Sequence, residues 1–434
     1  MELPLFAYIA ILFIAALLST RIMKLVKLPN VTGYIITGII MGPFVFGLLF
    51  NNFSYDNIET SSVYRHIQDI SWVSNVALGF IAFSIGNSFK TSVLKSVGKR
   101  VIVITILESA FASLFVFLAL MVAHFIWRDH IKWELVLTLS AIAAATAPAA
   151  TLMVIKQYKA KGELVNTLLP VVALDDASAL ILFAILFQIA TSISSGNGFS
   201  LYAMLWKPLI EIGLSLAFGA VIGAIISLFN RLFKSRNNRL GLCIFSVFAA
   251  LGIYQLFKFP EMGGFELSSL LMCMMAGAIY VNFTKDNDRT YDVLDRFTSP
   301  LYMVFFVLSG ASLNLKMLFG GSGLLVLGIA SIYIVFRVVG KYLGAFTGAA
   351  STHCPKKVRN YLGLALIPQA GVAIGLATTA NALFSQNPDT QEVAGLVLAI
   401  ILSSTLVYEL LGPMVSKFAL TKAGDIQGEE PSKS

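Results

Sequence analysis

Apolar residues gather into thirteen runs of membrane-spanning length, with short polar loops between them. The runs cover roughly 3–24, 31–50, 70–89, 101–127, 134–155, 164–191, 201–229, 240–257, 264–283, 298–315, 321–349, 358–384 and 391–416. A helix needs about 20 mainly apolar residues to cross a bilayer, so the pattern predicts an all-α polytopic membrane protein with about thirteen spans. The loops carry a second regularity, because every other one is basic. These loops hold Lys24 and Lys27; Lys90, Lys95, Lys99 and Arg100; Lys156, Lys159 and Lys161; Arg231, Lys234, Arg236 and Arg239; Lys285, Arg289 and Arg296; and Lys356, Lys357 and Arg359. The alternate loops hold only Arg65, Arg128, Lys132, Lys258 and Lys316. This bias puts the N-terminus outside and the C-terminus in the cytoplasm, as an odd number of spans requires. Residues 1–422 are expected to form one transmembrane domain and 423–434 a short cytoplasmic tail.

Some runs are interrupted. The fifth contains Ala145-Thr146-Ala147-Pro148 and the twelfth Leu366-Ile367-Pro368-Gln369-Ala370-Gly371. Proline inside a span removes a backbone hydrogen bond, and the freed groups must be satisfied by protein or by water lining a cavity. Interruptions at matching places in two halves point to a transporter site. Fainter echoes link the second run (Thr37-Gly38-Ile39) with the ninth (Ala276-Gly277-Ala278), and the third (Ser84-Ile85-Gly86) with the tenth (Ser309-Gly310-Ala311). Each pair lies seven spans apart, so its members face opposite ways. Together these features predict inverted five-helix repeats, spans two to six and nine to thirteen, each with one broken helix.

Composition supports this class. The chain is 57% hydrophobic and 12% charged, against about 25% charged in soluble domains. The net charge of +8 resides in the loops that set topology, so it does not imply a nucleic-acid partner. Cys243, Cys273 and Cys354 lack metal-ligand spacing. The four histidines are scattered, and no phosphate-binding glycine loop occurs. No resident cofactor is expected.

The costly residues are charges inside apolar runs. Asp175 and Asp176 lie mid-run in Leu174-Asp175-Asp176-Ala177-Ser178. A charge at the bilayer centre costs about 2.5–3.5 kcal/mol on insertion scales and marks an ion or proton pathway by default. In the eleventh run Arg337 and Lys341 are four residues apart and share a helical face. Lys releases its proton when desolvated and Arg does not, which favours Lys341 for titration and Arg337 for a fixed structural charge. Snorkelling to an interface is the competing reading, stronger for Lys341 because it lies nearer its run's end. Glu409, beside Gly412-Pro413, reads as structural. Glu108 and Glu211 either pair across helices or sit near an interface, and sequence does not decide between these.

These residues resemble a family. Thr146-Ala147-Pro148, Leu174-Asp175-Asp176-Ala177, the Lys341 segment and Leu366-Ile367-Pro368-Gln369-Ala370-Gly371 are similar to the monovalent cation/proton antiporter superfamily. The double Asp is similar to its electrogenic sodium/proton branch, the electroneutral branch having Asn-Asp. The resemblance implies a homodimer with a dimerisation domain, and a six-helix core of spans four to six and eleven to thirteen in which the two broken helices cross. It implies residence in a bacterial inner membrane and exchange of Na+ (or Li+) for H+. It also implies that Lys341 pairs with Asp175 when no cation is bound.

The expected site is therefore Asp175, Asp176 and Lys341, supported by Thr146, Pro148, Ser178, Arg337, Pro368 and Gln369. Asp176, Asp175 and Thr146 would ligate the transported Na+. The alternatives are potassium/proton exchange, a sodium-coupled organic-anion symporter and a channel or receptor of similar fold. Lys341 counts against the symporter.

Overall fold

The computed structural model describes residues 4–47, 62–86, 89–128, 131–195, 206–233, 235–257, 267–284, 287–311, 323–386 and 390–426. Each predicted run meets a helix or a broken helix among these. They are α1 (Leu5–Leu25), α2 (Asn30–Met41), α3 (Trp72–Gly86), α4 (Thr91–Ile126), α5a (Trp133–Ile142), α5b (Pro148–Gln157), α6 (Glu163–Ser195), α7 (Lys207–Phe229), α8 (Arg236–Phe257), α9 (Ser269–Phe283), α10 (Asn287–Ala311), α11 (Gly323–Ser351), α12a (Lys356–Ala365), α12b (Gly371–Phe384) and α13 (Gln391–Ala423). No strand occurs among the described residues. Nine helices there are long and apolar enough to cross a membrane, and Trp133–Ile142, Ser269–Phe283 and Gly371–Phe384 are shorter apolar helices.

Several helices overrun the runs that predicted them. The helix α4 begins ten residues before its run because Lys95, Lys99 and Arg100 continue the helix beyond the apolar stretch. Hydropathy marks where a span leaves the bilayer, whereas the helix ends where its backbone bonds end. The second run, conversely, breaks at Gly42 into a π-turn at Pro43–Gly47. Residues 48–50, 201–205, 264–266, 312–315, 321–322 and 427–434, which complete several predicted runs and the tail, lie outside the described residues.

The chain forms two compact units. Met1–Lys95 with Glu211–Lys316 make the first, and Ser96–Ile210 with Met317–Ser434 the second. The first collects spans one to three and seven to ten. The second collects spans four to six and eleven to thirteen, the segments that the resemblance assigned to a core.

In the first unit the sequence echoes become a reciprocal contact. A Cβ at Gly38 would strike the carbonyl of Val307, and one at Gly310 would strike that of Ile35. A Cβ at Gly277 would strike the carbonyl of Phe83, and one at Gly86 that of Met274. Each blocking carbonyl belongs to the residue three before the partner glycine. Thus α2 packs on α10 as α9 packs on α3, backbone against backbone, through glycines at matching positions. Small residues permit this approach, and the repetition is what two inverted halves give.

In the second unit Gly340, Gly344 and Gly348 form a ladder along α11. Their missing side chains admit the backbone of α4 at Phe111 and Ala112, at Leu107 and Glu108, and at Ile104. The start of α6 is held by the segment just after α13. Asp425 Oδ2 accepts from the Val165 amide at 2.9 Å and its carbonyl accepts from Lys161 N at 2.9 Å. A carboxylate at a helix N-terminus satisfies an orphan amide and opposes the helix dipole.

Candidate functional site

The breaks in α5 and α12 determine the site. Pro148 is the first residue of α5b, where its missing amide costs nothing and its fixed φ suits a helix start. Ahead of it residues 143–147 leave the helix. In α12 residues 367–370 do the same. The two breaks meet: the Ala147 amide donates to the Pro368 carbonyl at 2.8 Å. Gly412 of α13 leaves room for the Pro368 ring, since a Cβ there would lie 2.9 Å from its Cγ.

Breaking α5a exposes its last carbonyls, and buried carbonyls need donors. Four consecutive ones, from Ile142 to Ala145, receive side chains from α11 and from the break in α12. Gln369 Nε2 donates to Ile142 O at 3.0 Å. Arg337 donates from Nε to Ala143 O at 3.0 Å and from Nη2 to Ala145 O at 2.7 Å. Lys341 Nζ donates to Ala144 O at 2.5 Å. The third Arg337 bond, Nη1 to Ile367 O at 2.7 Å, reaches the other break, and its guanidinium lies 4.6 Å from the centre of the Tyr408 ring. Two cations at the C-terminal end of α5a also match its negative dipole end. Gln369 is held in turn by Tyr333, whose hydroxyl donates to Oε1 at 3.1 Å. Sequence gave no sign of Tyr333 or Tyr408.

Lys341 and Arg337 are both fully buried, so neither snorkels. Lys341 Nζ reaches Asp175 Oδ2 at 2.8 Å and Thr146 Oγ1 at 2.7 Å. It also forms an ion pair with Glu108 Oε2 at 2.6 Å, an approach by distance and not a hydrogen bond. Glu108 was undecided in the sequence. The signal that finds it is the glycine ladder around Lys341, because Gly344 draws the backbone of α4 onto α11 at Glu108 itself. Ser109 enters with it. Its hydroxyl bonds to Asp175 Oδ1 at 2.7 Å and lies 2.6 Å from Ser178 Oγ, and Ser178 adds a bond to Asp175 Oδ1 at 3.2 Å. Arg337, by contrast, donates to the backbone carbonyls of Ala143, Ala145 and Ile367.

The adjacent carboxylates thus live differently. Asp175 is fully buried and encircled by Lys341, Ser109 and Ser178. Asp176 retains 8% exposure, and its Oδ1 has no hydrogen-bond partner. No group of three or more His, Cys, Asp or Glu suited to a metal ion occurs among the described residues.

The ladder can be tested directly. A Cβ at Gly344 would lie 2.5 Å from Glu108 Cα and 2.6 Å from Leu107 O. Backbone cannot yield as a flexible side chain does, and overpacking costs about 1–3 kcal/mol. Gly344→Ala is expected to lower the melting temperature of purified protein, with Gly328→Ala, where a Cβ meets nothing within 4 Å, unchanged.

Interrupted helices that cross beside buried carboxylates define a secondary membrane transporter. Residues 9–417 match the family described as sodium/hydrogen exchanger, transmembrane, and the chain belongs to that family. It is an integral membrane transporter and not an enzyme. Two solved structures of the sodium proton antiporter MjNhaP1 from Methanocaldococcus jannaschii have the same fold. One, at pH 8, matches with a TM-score of 0.67 and 20% identity over 98% of this chain and 100% of that one. The other, an electron-microscopy map, matches with a TM-score of 0.74 and 18% identity over 99% and 100%. No protein of curated function matches the chain in sequence.

Proposed function

We propose that the chain exchanges cytoplasmic Na+ (or Li+) for external H+ by alternating access, and that each cycle moves net charge. The observation that carries this reading is the unequal setting of the adjacent carboxylates. Asp175 is engaged by an ammonium, while Asp176 offers a buried oxygen without a partner.

Two neighbouring carboxylates in a low dielectric cannot both ionise cheaply. A proton or a sodium ion relieves the cost at Asp176, and since they compete for one place their movements are opposed. Asp176 is the principal ligand and proton acceptor. Asp175, the Thr146 hydroxyl and nearby carbonyls complete an oxygen shell suited to a hard cation. When sodium claims Asp175, the bond from Lys341 is lost and the Lys341 ammonium gives up the second proton. Two protons against one sodium ion move one net charge, worth about 2.3 kcal/mol per 100 mV. The rest of the reading follows the loop charges and the resemblance: a homodimer in a bacterial plasma membrane, N-terminus outside.

Potassium/proton exchange is the nearest rival, since selectivity depends on ligand geometry and dehydration. Proteoliposomes with sodium, lithium or potassium gradients, on a solid-supported membrane, test both points. Sodium and lithium are expected to drive proton movement with a current, and potassium is not. Proton movement driven by potassium alone would replace the cation, and sodium exchange without current would remove the second proton.

A further inference from the structure

We propose that the Ser109 and Ser178 hydroxyls are ligands of the transported cation, and that the ion binds at the Asp175 oxygen that Lys341 does not hold. The inference rests on the exchange reading above. It adds two oxygens to the site and names the side on which the ion settles.

The two oxygens of Asp175 have different neighbours. Oδ2 accepts from Lys341 Nζ at 2.8 Å. Oδ1 faces hydroxyls: Ser109 Oγ lies 2.7 Å away and Ser178 Oγ 3.2 Å away, and the two hydroxyl oxygens are 2.6 Å apart. These three oxygens form a triangle. Ser178 follows Asp175 by three residues on α6 and so shares its helical face. Ser109 comes from α4, and the missing Cβ of Gly344 admits the α4 backbone at Leu107 and Glu108, just beside it.

The triangle is rich in lone pairs and poor in protons. A hydroxyl carries one proton and two lone pairs, and an ionised carboxylate only accepts. Ser109 has three oxygens within reach of its single proton: Asp175 Oδ1, Ser178 Oγ and, at 3.3 Å, Glu108 Oε1. Ser178 can give its own proton to the Asp175 carbonyl at 2.9 Å, a bond within α6. Most hydroxyl lone pairs are then left without a donor, although Ser109 is buried and Ser178 half-buried. Enclosing acceptors without donors is costly. A hard cation takes oxygen ligands and relieves that cost.

The position also orders the events. An ion at Asp175 Oδ1 need not displace the ammonium in order to arrive. Once bound, it draws charge from the shared carboxylate, and the Lys341 bond at Oδ2 weakens afterwards. Asp176, whose Oδ1 has no partner, supplies the second negative charge. Size selection follows from the same triangle, because ligand oxygens crowd closer around a small ion than around a large one. Gly340, Gly344 and Gly348 hold the α4 backbone directly against α11, so Ser109 cannot retreat with its helix to fit a larger cation.

The test is cation affinity, read as the heat of sodium or lithium binding to purified protein and as the KM of dye quenching in vesicles. Ser109→Ala is expected to raise both constants for sodium at least about tenfold, the lower end of what losing even an outer partner costs a metal site. The constants for lithium are expected to rise further, since a smaller ion gives up its water more reluctantly. Ser178→Ala is expected to act in the same direction. Ser109→Cys keeps the shape and a weak donor but replaces a hard oxygen with soft sulfur, so it is expected to bind sodium as poorly as Ser109→Ala. A packing role would lower the melting temperature or the maximal rate, leave KM and the lithium-to-sodium ratio unchanged, and spare Ser109→Cys. Either Ser109 variant with wild-type constants therefore overturns the assignment. Should both fail to reach the membrane, Ser178→Ala decides by the same readings. Wild type without sodium-driven proton movement would instead sink the exchange reading, and this assignment with it.

Discussion

Asp176→Asn is expected to reduce sodium-driven proton movement to the level of empty liposomes, with the protein still present in the membrane. The substitution nearly preserves shape. An amide oxygen can still touch a cation, but it has no charge to offset one and cannot take up a proton in the same place. Both halves of the exchange are lost at once, which is why the effect is larger than for any neighbour. Asp175→Asn provides the contrast. It leaves Lys341 with Glu108, Thr146 and the Ala144 carbonyl, so that variant is expected to fold and to lose sodium affinity. The measurement is acridine-dye quenching in reconstituted vesicles across a range of sodium concentrations. Substantial transport by Asp176→Asn at any concentration would remove it from the centre of the site.

Much of the architecture was legible because membranes impose few choices. Thirteen apolar runs with alternating basic loops fix the spans, and each meets a helix or a broken helix. The breaks were legible from Pro148 and Pro368, and the repeat from glycines that now prove to touch their counterparts' backbones. What sequence left open was the partner of each buried charge. Lys341 lies only four residues from Arg337, and one helical turn does not say which of them meets Asp175. The decision comes from the two breaks: their exposed carbonyls occupy three donors of Arg337 but take only one bond from Lys341, which also reaches Asp175. Glu108 was hidden for a related reason. Its run is long and apolar, with nothing nearby in sequence to mark a site. The information lies 236 positions away, in the spacing of Gly340, Gly344 and Gly348 about Lys341. Periodic glycines announce a close helix contact, yet one sequence does not name the helix that fills it.

Arg337→Gln is expected to be the most destabilising single substitution in the second unit while leaving the exchange ratio unchanged. The guanidinium donates to Ala143 O, Ala145 O and Ile367 O, carbonyls on both broken helices. Leaving a buried acceptor without its donor costs about 1–3 kcal/mol. A glutamine amide has two donors on one atom and a shorter reach, so it cannot replace a fork that spans both breaks. Loss of the stack on Tyr408 adds on the order of 2 kcal/mol for a desolvated cation over a ring. The total is on the order of 3–5 kcal/mol, with Gln369 still holding Ile142 O at the crossing. A drop in melting temperature in detergent, with wild-type current per sodium ion in whatever protein survives, is the expected result. Wild-type stability with abolished current would mean the opposite: that Arg337, one turn from Lys341, is the cation that answers to sodium at Asp175.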